Sequence, residues 1–213
     1  HQDIETGRLG SEPSEKGTYN VIPVIHKVDQ GTAEWFKLRA GIPTASEFDQ
    51  IVTPEFKIRK GQMPESYIAK KLAEKWIGGP LPQVGSFMME QGNIMEEEAV
   101  PWYEFEFNAQ VERVGFITTE DGRIGCSPDG LLGSDNGLEI KCPAMHTHVR
   151  YLMEGTVPKD YITQVQGAMF VTGRPEWTFV SYSRFLPPLV VAVRRDESAM
   201  GVLSDALGEF VEK

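Results

Sequence analysis

Residues 126–143 read CSPDGLLGSDNGLEIKCP, and no other stretch restricts the fold as much. Side chains two apart on a strand share a face, so Leu138 and Ile140 point one way while Glu139 and Lys141 point the other. Ser134 to Gly137 is small and polar, the composition of a hairpin turn. A hairpin joined there brings Asp129 opposite Glu139 on neighbouring strands. Two readings follow. An alternating strand with one solvated face accounts for Glu139 and Lys141, and Asp129 between proline and glycine is an ordinary turn residue. The alternative is a site in which two carboxylates and an ammonium group converge.

Such a convergence suits a hard divalent cation. Mg²⁺ prefers oxygen ligands, one or two carboxylates with water and substrate completing the shell. In phosphodiester hydrolysis the cation screens the phosphate, stabilises the leaving oxygen and lowers the pKa of the attacking water. A neighbouring lysine orients or helps deprotonate that water and stabilises the developing charge. ExK alone is common, whereas Pro-Asp followed after nine residues by Glu-x-Lys is more selective.

Around the hairpin the pattern is mixed. TAEWFKLRAG predicts a short helix with Thr32 as N-cap and Gly41 past its end. In TASE, Thr44 and Glu47 have capping-box spacing. Residues 64–77 predict a helix with Ile68, Leu72 and Trp76 along one face. Residues 88–107 predict a long helix broken or kinked at Gly92 and Pro101. The runs VERVGF, FITTE, RIGCS and GLEIKC predict short strands, with a turn at Asp121-Gly122. Helices follow over 145–153 and 160–171, then strands in WTFVSY and LVVAV, and a last helix over about 197–213. The expected fold class is α/β: a central mixed sheet flanked by helices.

Residues 1–20 are polar and aperiodic, and predict a disordered N-terminal segment or a cloning remnant, since no initiating Met is present. Residues 21–213 are expected to form a single domain. No apolar run reaches membrane-spanning length and no leader-like apolar segment is visible, so no membrane partner is expected. Cysteine occurs only at Cys126 and Cys142, which points to a reducing, cytoplasmic setting. The net charge of −10 argues against a surface that is basic all over, yet leaves room for a local basic groove.

Pro128-Asp129 with Glu139-Ile140-Lys141 resembles the PD-(D/E)xK nuclease superfamily. CSPDG followed by GLEIKCP resembles one branch, the lambda-exonuclease family of phage alkaline exonucleases. The likeness extends to WFKLRAGIPTASE at residues 35–47, GNIMEEEA at 92–99, Gln164-Val165-Gln166 and the terminal FVEK. The resemblance implies a restriction-endonuclease-like core. It implies that Asp129, Glu139, the backbone carbonyl of Ile140 and Glu96 hold the metal, Mg²⁺ with Mn²⁺ as a substitute, and that Lys141 is catalytic. Glu97 and Glu98 adjoin Glu96 within one residue's register.

By the same likeness Arg39, Ser46, Ser127 and Gln164 bind a 5′-phosphate. A guanidinium gives a fork and the hydroxyls and amide donate to the remaining oxygens. Met89 falls where the family uses an apolar wedge to part the duplex. A basic loop residue of the family is replaced by Phe56, with Lys57, Arg59 and Lys60 nearby. The implied activity is Mg²⁺-dependent 5′→3′ exonuclease digestion of double-stranded DNA from 5′-phosphorylated ends, leaving 3′ overhangs for recombination. A homotrimer ring around DNA, a single-strand annealing partner and a phage or prophage origin in a bacterial cytoplasm are implied as well.

Two alternatives stand beside this. An endonuclease on the same fold needs no terminal-phosphate pocket. A non-enzymatic zinc module built from Cys126, Cys142, His146 and His148 lacks the close Cys pairs of zinc ribbons. His26, away from every motif, is expected to be structural or solvated.

Overall fold

The hairpin anticipated within residues 126–143 forms the middle of a five-stranded sheet. The computed structural model describes residues 22–82 and 87–213, apart from the side chains of residues 87–94 and 96. The expected disorder of residues 1–20 therefore lies outside the described residues. Strand β5 (Gly130–Leu132) pairs antiparallel with β6 (Asn136–Lys141). The order across the sheet is β2 (Val111–Glu112), β5, β6, β7 (Glu176–Ser181), β8 (Leu189–Arg194). β6 and β7 run parallel, with Glu139 opposite Phe179 and Lys141 opposite Ser181. Parallel neighbours need a crossover; here it consists of helices α4 (Met145–Glu154) and α5 (Lys159–Thr172). A second sheet of three strands, β1 (Val24–His26), β3 (Phe116–Thr118) and β4 (Gly125–Cys126), carries the chain into the hairpin.

The large sheet is covered on both faces. On one, Leu138, Ile140 and Val180 pack with Ala99, Val100 and Tyr103 of helix α3 (Phe87–Phe107). On the other, Leu131, Trp177 and Phe179 pack with Val165 and Met169 of α5 and with Leu203 and Leu207 of the last helix, α6 (Glu197–Val211). Helix α3 runs unbroken through Pro101. The expected break is absent because Ala99, Val100 and Tyr103, on either side of the proline, are buried against the sheet, and tertiary packing outweighs one lost hydrogen bond.

Two further expectations are corrected at the N-terminal side. Helix α1 (Ala33–Arg39) is capped by Thr32, whose hydroxyl accepts from Trp35 N–H, as its sequence predicts. The Thr44–Glu47 capping box does not form. Residues Ala45–Gln50 make a 3₁₀ helix, Thr44 gives no side-chain cap, and Glu47 pairs instead with Lys70 and Lys71. Helix α2 (Gln62–Ile77) is also rotated from the predicted face. Trp76 is 82% exposed and Leu72 37%, while Tyr67, Lys71 and Glu74 are buried. Both stripes satisfy helical spacing, and the polar one is buried because its charges meet each other and Glu47.

Close packing sets the remaining geometry. Gly167 lets α5 press on the 3₁₀ helix, since a Cβ there would lie 2.4 Å from the Phe48 ring. That contact brings Gln164 of α5 alongside Ser46.

Candidate active site

Asp129 precedes β5, and its N–H donates to Leu138 O at 3.1 Å, which continues the hairpin register. Its Oδ2 accepts from Ile140 N–H at 2.5 Å, so the carboxylate lies against the Glu139–Ile140 peptide. Burial is the largest influence on this carboxyl and raises it above the ordinary range. Lys141, the Ile140 N–H and Arg113 act in the opposite direction.

Glu139 points to the α5 face and is 2% exposed, so the solvated-face reading of this strand is corrected. Lys141 Nζ lies 2.7 Å from Glu139 Oε1, and Gln164 Nε2 donates to the same oxygen at 2.5 Å. The Lys141 ammonium also lies 5.4 Å from the ring centre of Tyr161, one turn before Gln164 on α5. Burial, followed by the neighbouring Tyr151, pushes the Tyr161 phenol up to about 12, so it stays protonated. Asp129, Glu139 and Lys141 are thus brought together at the end of β6.

The anion-binding candidates converge as well. A cavity of about 10 Å³, room for about one water, is lined by Ser46, Cys126, Ser127, Glu139 and Gln164 among others. Burial pushes the Cys126 thiol well up, so it is an uncharged part of this wall. Arg39 Nη1 donates to Ser127 Oγ at 2.7 Å, and Nη2 reaches Thr44 Oγ1 at 3.4 Å. Trp35 Nε1 donates to the same Ser127 oxygen at 3.1 Å. An oxygen that accepts twice keeps its own proton for a ligand.

The Arg39 guanidinium stacks 4.3 Å from the Trp35 ring centre and 5.7 Å from that of Phe116. Its described partners are hydroxyls and aromatic faces, with no carboxylate in ion-pair range. Burial lowers its pKa against several raising charges, Glu47 first, and guanidinium stays charged in any case. A half-buried cation without an anionic partner suits an anion from outside. Sequence reasoning missed Trp35, Thr44 and Tyr161. The i, i+4 spacing of Trp35 and Arg39 carried a signal for the first; nothing local marks the other two.

Other expected residues fare differently. The side chains of Glu96 and Met89, on α3, lie outside the described residues. Glu98 pairs with Arg184. Arg59 is anchored to its own loop, its Nε donating to Asp49 O at 2.6 Å and Val52 O at 3.3 Å. Lys57 and Lys60 are exposed, and Phe56 takes a left-handed φ of 52°. The zinc alternative is corrected at His148, which is fully buried with its ring nitrogens 2.7 Å from Ser181 Oγ and 2.8 Å from Pro187 O. His26 sits 3.1 Å from Thr118 Oγ1, a structural contact.

Among the described residues no three His, Cys, Asp or Glu side chains converge as a metal cluster. Asp129 and Glu139, with the Ile140 carbonyl, are the described oxygens that could hold a metal here. These donors fit a hard divalent cation: all are oxygens, and the two carboxylates come from one hairpin, Glu139 buried and Asp129 partly buried.

Residues 34–175 match the model of the YqaJ-like viral recombinase domain. The chain belongs to the YqaJ-like viral recombinase family. The alkaline exonuclease LHK-Exo from Laribacter hongkongensis is 30% identical, with 85% of this chain and 91% of that one covered and a TM-score of 0.76. The same values hold for its complex with dAMP. A phage-related exonuclease from Haemophilus somnus 129PT, 14% identical with 80% and 92% covered and a TM-score of 0.60, shares the fold. No curated protein matches the chain. The recombinase-family chain therefore has the restriction-endonuclease-like α/β core that the resemblance implies. Among the described residues no helix is long and apolar enough to cross a membrane.

Proposed function

We propose that the chain is a divalent-metal-dependent nuclease of phage-type recombination. It digests one strand of double-stranded DNA in the 5′→3′ direction from 5′-phosphorylated ends and leaves 3′ single-stranded overhangs. The observation that carries the reading is Gln164, which donates to Glu139 and also lines the cavity with Ser46 and Ser127. In this reading a pocket for a terminal phosphate and the carboxylates of a cleavage site share one side chain. An endonuclease needs no terminal-phosphate pocket. The relative that binds dAMP supports it, since dAMP carries a single 5′-phosphate.

In this reading Arg39, Ser46, Ser127 and Gln164 hold the terminal phosphate by charge-assisted hydrogen bonds. Asp129, Glu139 and the Ile140 carbonyl, with Glu96 from α3, hold Mg²⁺ or Mn²⁺. When bound, the cation screens the scissile phosphate and makes a coordinated water more acidic. Lys141, fixed by Glu139 and by the face of Tyr161, is placed to orient the attacking water and to stabilise negative charge on the phosphate. Gln164 keeps Glu139 in position while the strand end is seated. A homotrimeric ring around the duplex and transfer of the overhang to an annealing protein complete the proposal.

The test is digestion of linear duplexes with one 5′-phosphorylated and one 5′-hydroxyl end, with Mg²⁺ or with EDTA, reading which strand shortens. The phosphorylated strand should shorten from its 5′ end only with Mg²⁺. Internal cuts, or shortening from 3′ ends, would overturn the reading.

A further inference from the structure

The buried charges on α2 have no part in the chemistry above, yet they grip the segment that carries the phosphate pocket. Glu74 Oε2 accepts from Gly41 N–H at 3.2 Å. The Tyr67 hydroxyl accepts from Thr44 N–H at 3.3 Å and donates to Glu47 Oε2 at 3.2 Å. Gly41 itself has φ +75°, and a Cβ there would lie 2.8 Å from Lys75 Cβ, so the turn sits tightly on the helix. Thr44 in turn meets Arg39 and Ser46, each at 3.4 Å.

Lys71 lies at the centre of this grip. Its Nζ is 2.9 Å from Glu47 Oε2 and 3.0 Å from Glu74 Oε2, and its side chain is 8% exposed. Lys70 holds the other oxygen of Glu47. Two carboxylates and two ammonium groups balance. Arg39 lies on the gripped segment and is influenced by the charges of both Glu47 and Glu74. Arg39 is joined to Glu47 through Thr44 and the Tyr67 hydroxyl, so a carboxylate released from Lys71 has a guanidinium as a neighbour, and guanidinium–carboxylate forks are strong.

We propose that Lys71 is a positioning residue for the anion pocket: by holding Glu47 and Glu74 it keeps both carboxylates away from Arg39, so that the guanidinium stays available to a 5′-terminal phosphate. This rests on the reading of the Arg39 pocket given above. Selectivity for phosphorylated ends then depends on a lysine that touches no substrate. The role is electrostatic, so it separates from a merely structural one: charge balance, and not the identity of the side chains, decides the outcome.

The experiment measures kcat/KM on duplexes with 5′-phosphate and 5′-hydroxyl ends for the parent, Lys71→Met, Lys71→Arg, Glu74→Gln and the double variant Lys71→Met/Glu74→Gln, in which Glu47 keeps Lys70. Lys71→Met should lower the preference for phosphate at least about tenfold, through KM, with hydroxyl ends cut as before. Lys71→Arg and Glu74→Gln should keep the parent preference, and the charge-balanced double variant should regain it. Parent-like preference in Lys71→Met, or an equal loss in Lys71→Met and Glu74→Gln, overturns the inference. If Lys71→Met does not fold, the double variant decides: preference retained supports the role and preference lost overturns it. A parent without preference would bring down the pocket reading itself, a result distinct from parent-like selectivity in the lysine variant.

Discussion

Replacing Arg39 with alanine tests the pocket directly, and its size can be worked from the geometry. The guanidinium is half-buried, stacked on Trp35 at 4.3 Å and bonded to Ser127 at 2.7 Å. A phosphate seated beside it would gain charge-assisted hydrogen bonds, each about 1.5–3 kcal/mol. The Coulomb attraction near 4 Å is roughly 4 kcal/mol at an effective dielectric of about 20. Desolvation of both ions offsets part of this, leaving roughly 2–4 kcal/mol. At about 1.4 kcal/mol per tenfold, Arg39→Ala should lower kcat/KM on phosphorylated ends by roughly 30- to 1,000-fold. Hydroxyl ends should change by only a few fold. Arg39→Lys should fall between, since it keeps the charge but loses the fork. The assay is initial-rate digestion of matched duplexes, with circular dichroism to confirm folding, because the lost stacking costs about 1 kcal/mol. An equal loss on both end types, or none on either, would refute the assignment.

The remaining predictions address the chemistry, the charge network and the sheet. Lys141→Ala should reduce single-turnover cleavage by about 10²- to 10⁴-fold while duplex binding, read by fluorescence anisotropy, stays within a few fold; cleavage near the parent rate would remove the lysine from the reaction. Burial raises the Glu47 carboxyl, but the Lys70 hydrogen bond and the Lys71 charge outweigh it and hold the group at about 2. A depressed carboxyl contributes stability that is present above its unfolded value and is lost as pH falls towards the folded one. Thermal melts of the parent and Glu47→Gln should therefore differ by on the order of 2–3 kcal/mol near neutrality, and the gap should close between about pH 5 and pH 2. A gap independent of pH would contradict the assignment. Gly137→Ala would set a Cβ 2.3 Å from the Trp177 ring and should destabilise by about 1–3 kcal/mol. Trp177→Leu should relieve that overlap in the double variant, and strictly additive losses would argue against it.

What the sequence disclosed and what it hid divide along one physical line. Period two in GLEIK and the polar turn before it are local, and the hairpin they predict is present with its expected register. Thr32 as N-cap and Gly41 past the helix end likewise follow from local signals, and α1 forms as they require. The misread elements are those whose charges are satisfied by distant partners. On α2, positions 68, 72 and 76 offered an apolar stripe and positions 67, 71 and 74 a polar one, and hydrophobicity favoured the wrong stripe. The buried stripe is stable only because Glu47, 23 residues before Lys70, supplies its counter-charge. Glu139 shows the same effect. Alternation alone assigns it to solvent, yet Lys141 and Gln164 hold it inside at 2% exposure. Burying an ion is costly unless a partner is fixed in place. A chain that buries two separate groups of ions on either side of one 3₁₀ helix has therefore given up stability there. The shared tie is Ser46 and its neighbours, gripped from α2 through Thr44 and Glu47 and bordered by Gln164 on α5. Precise placement of that short segment is what both buried groups achieve, and the proposed seating of a terminal phosphate beside Glu139 would require it.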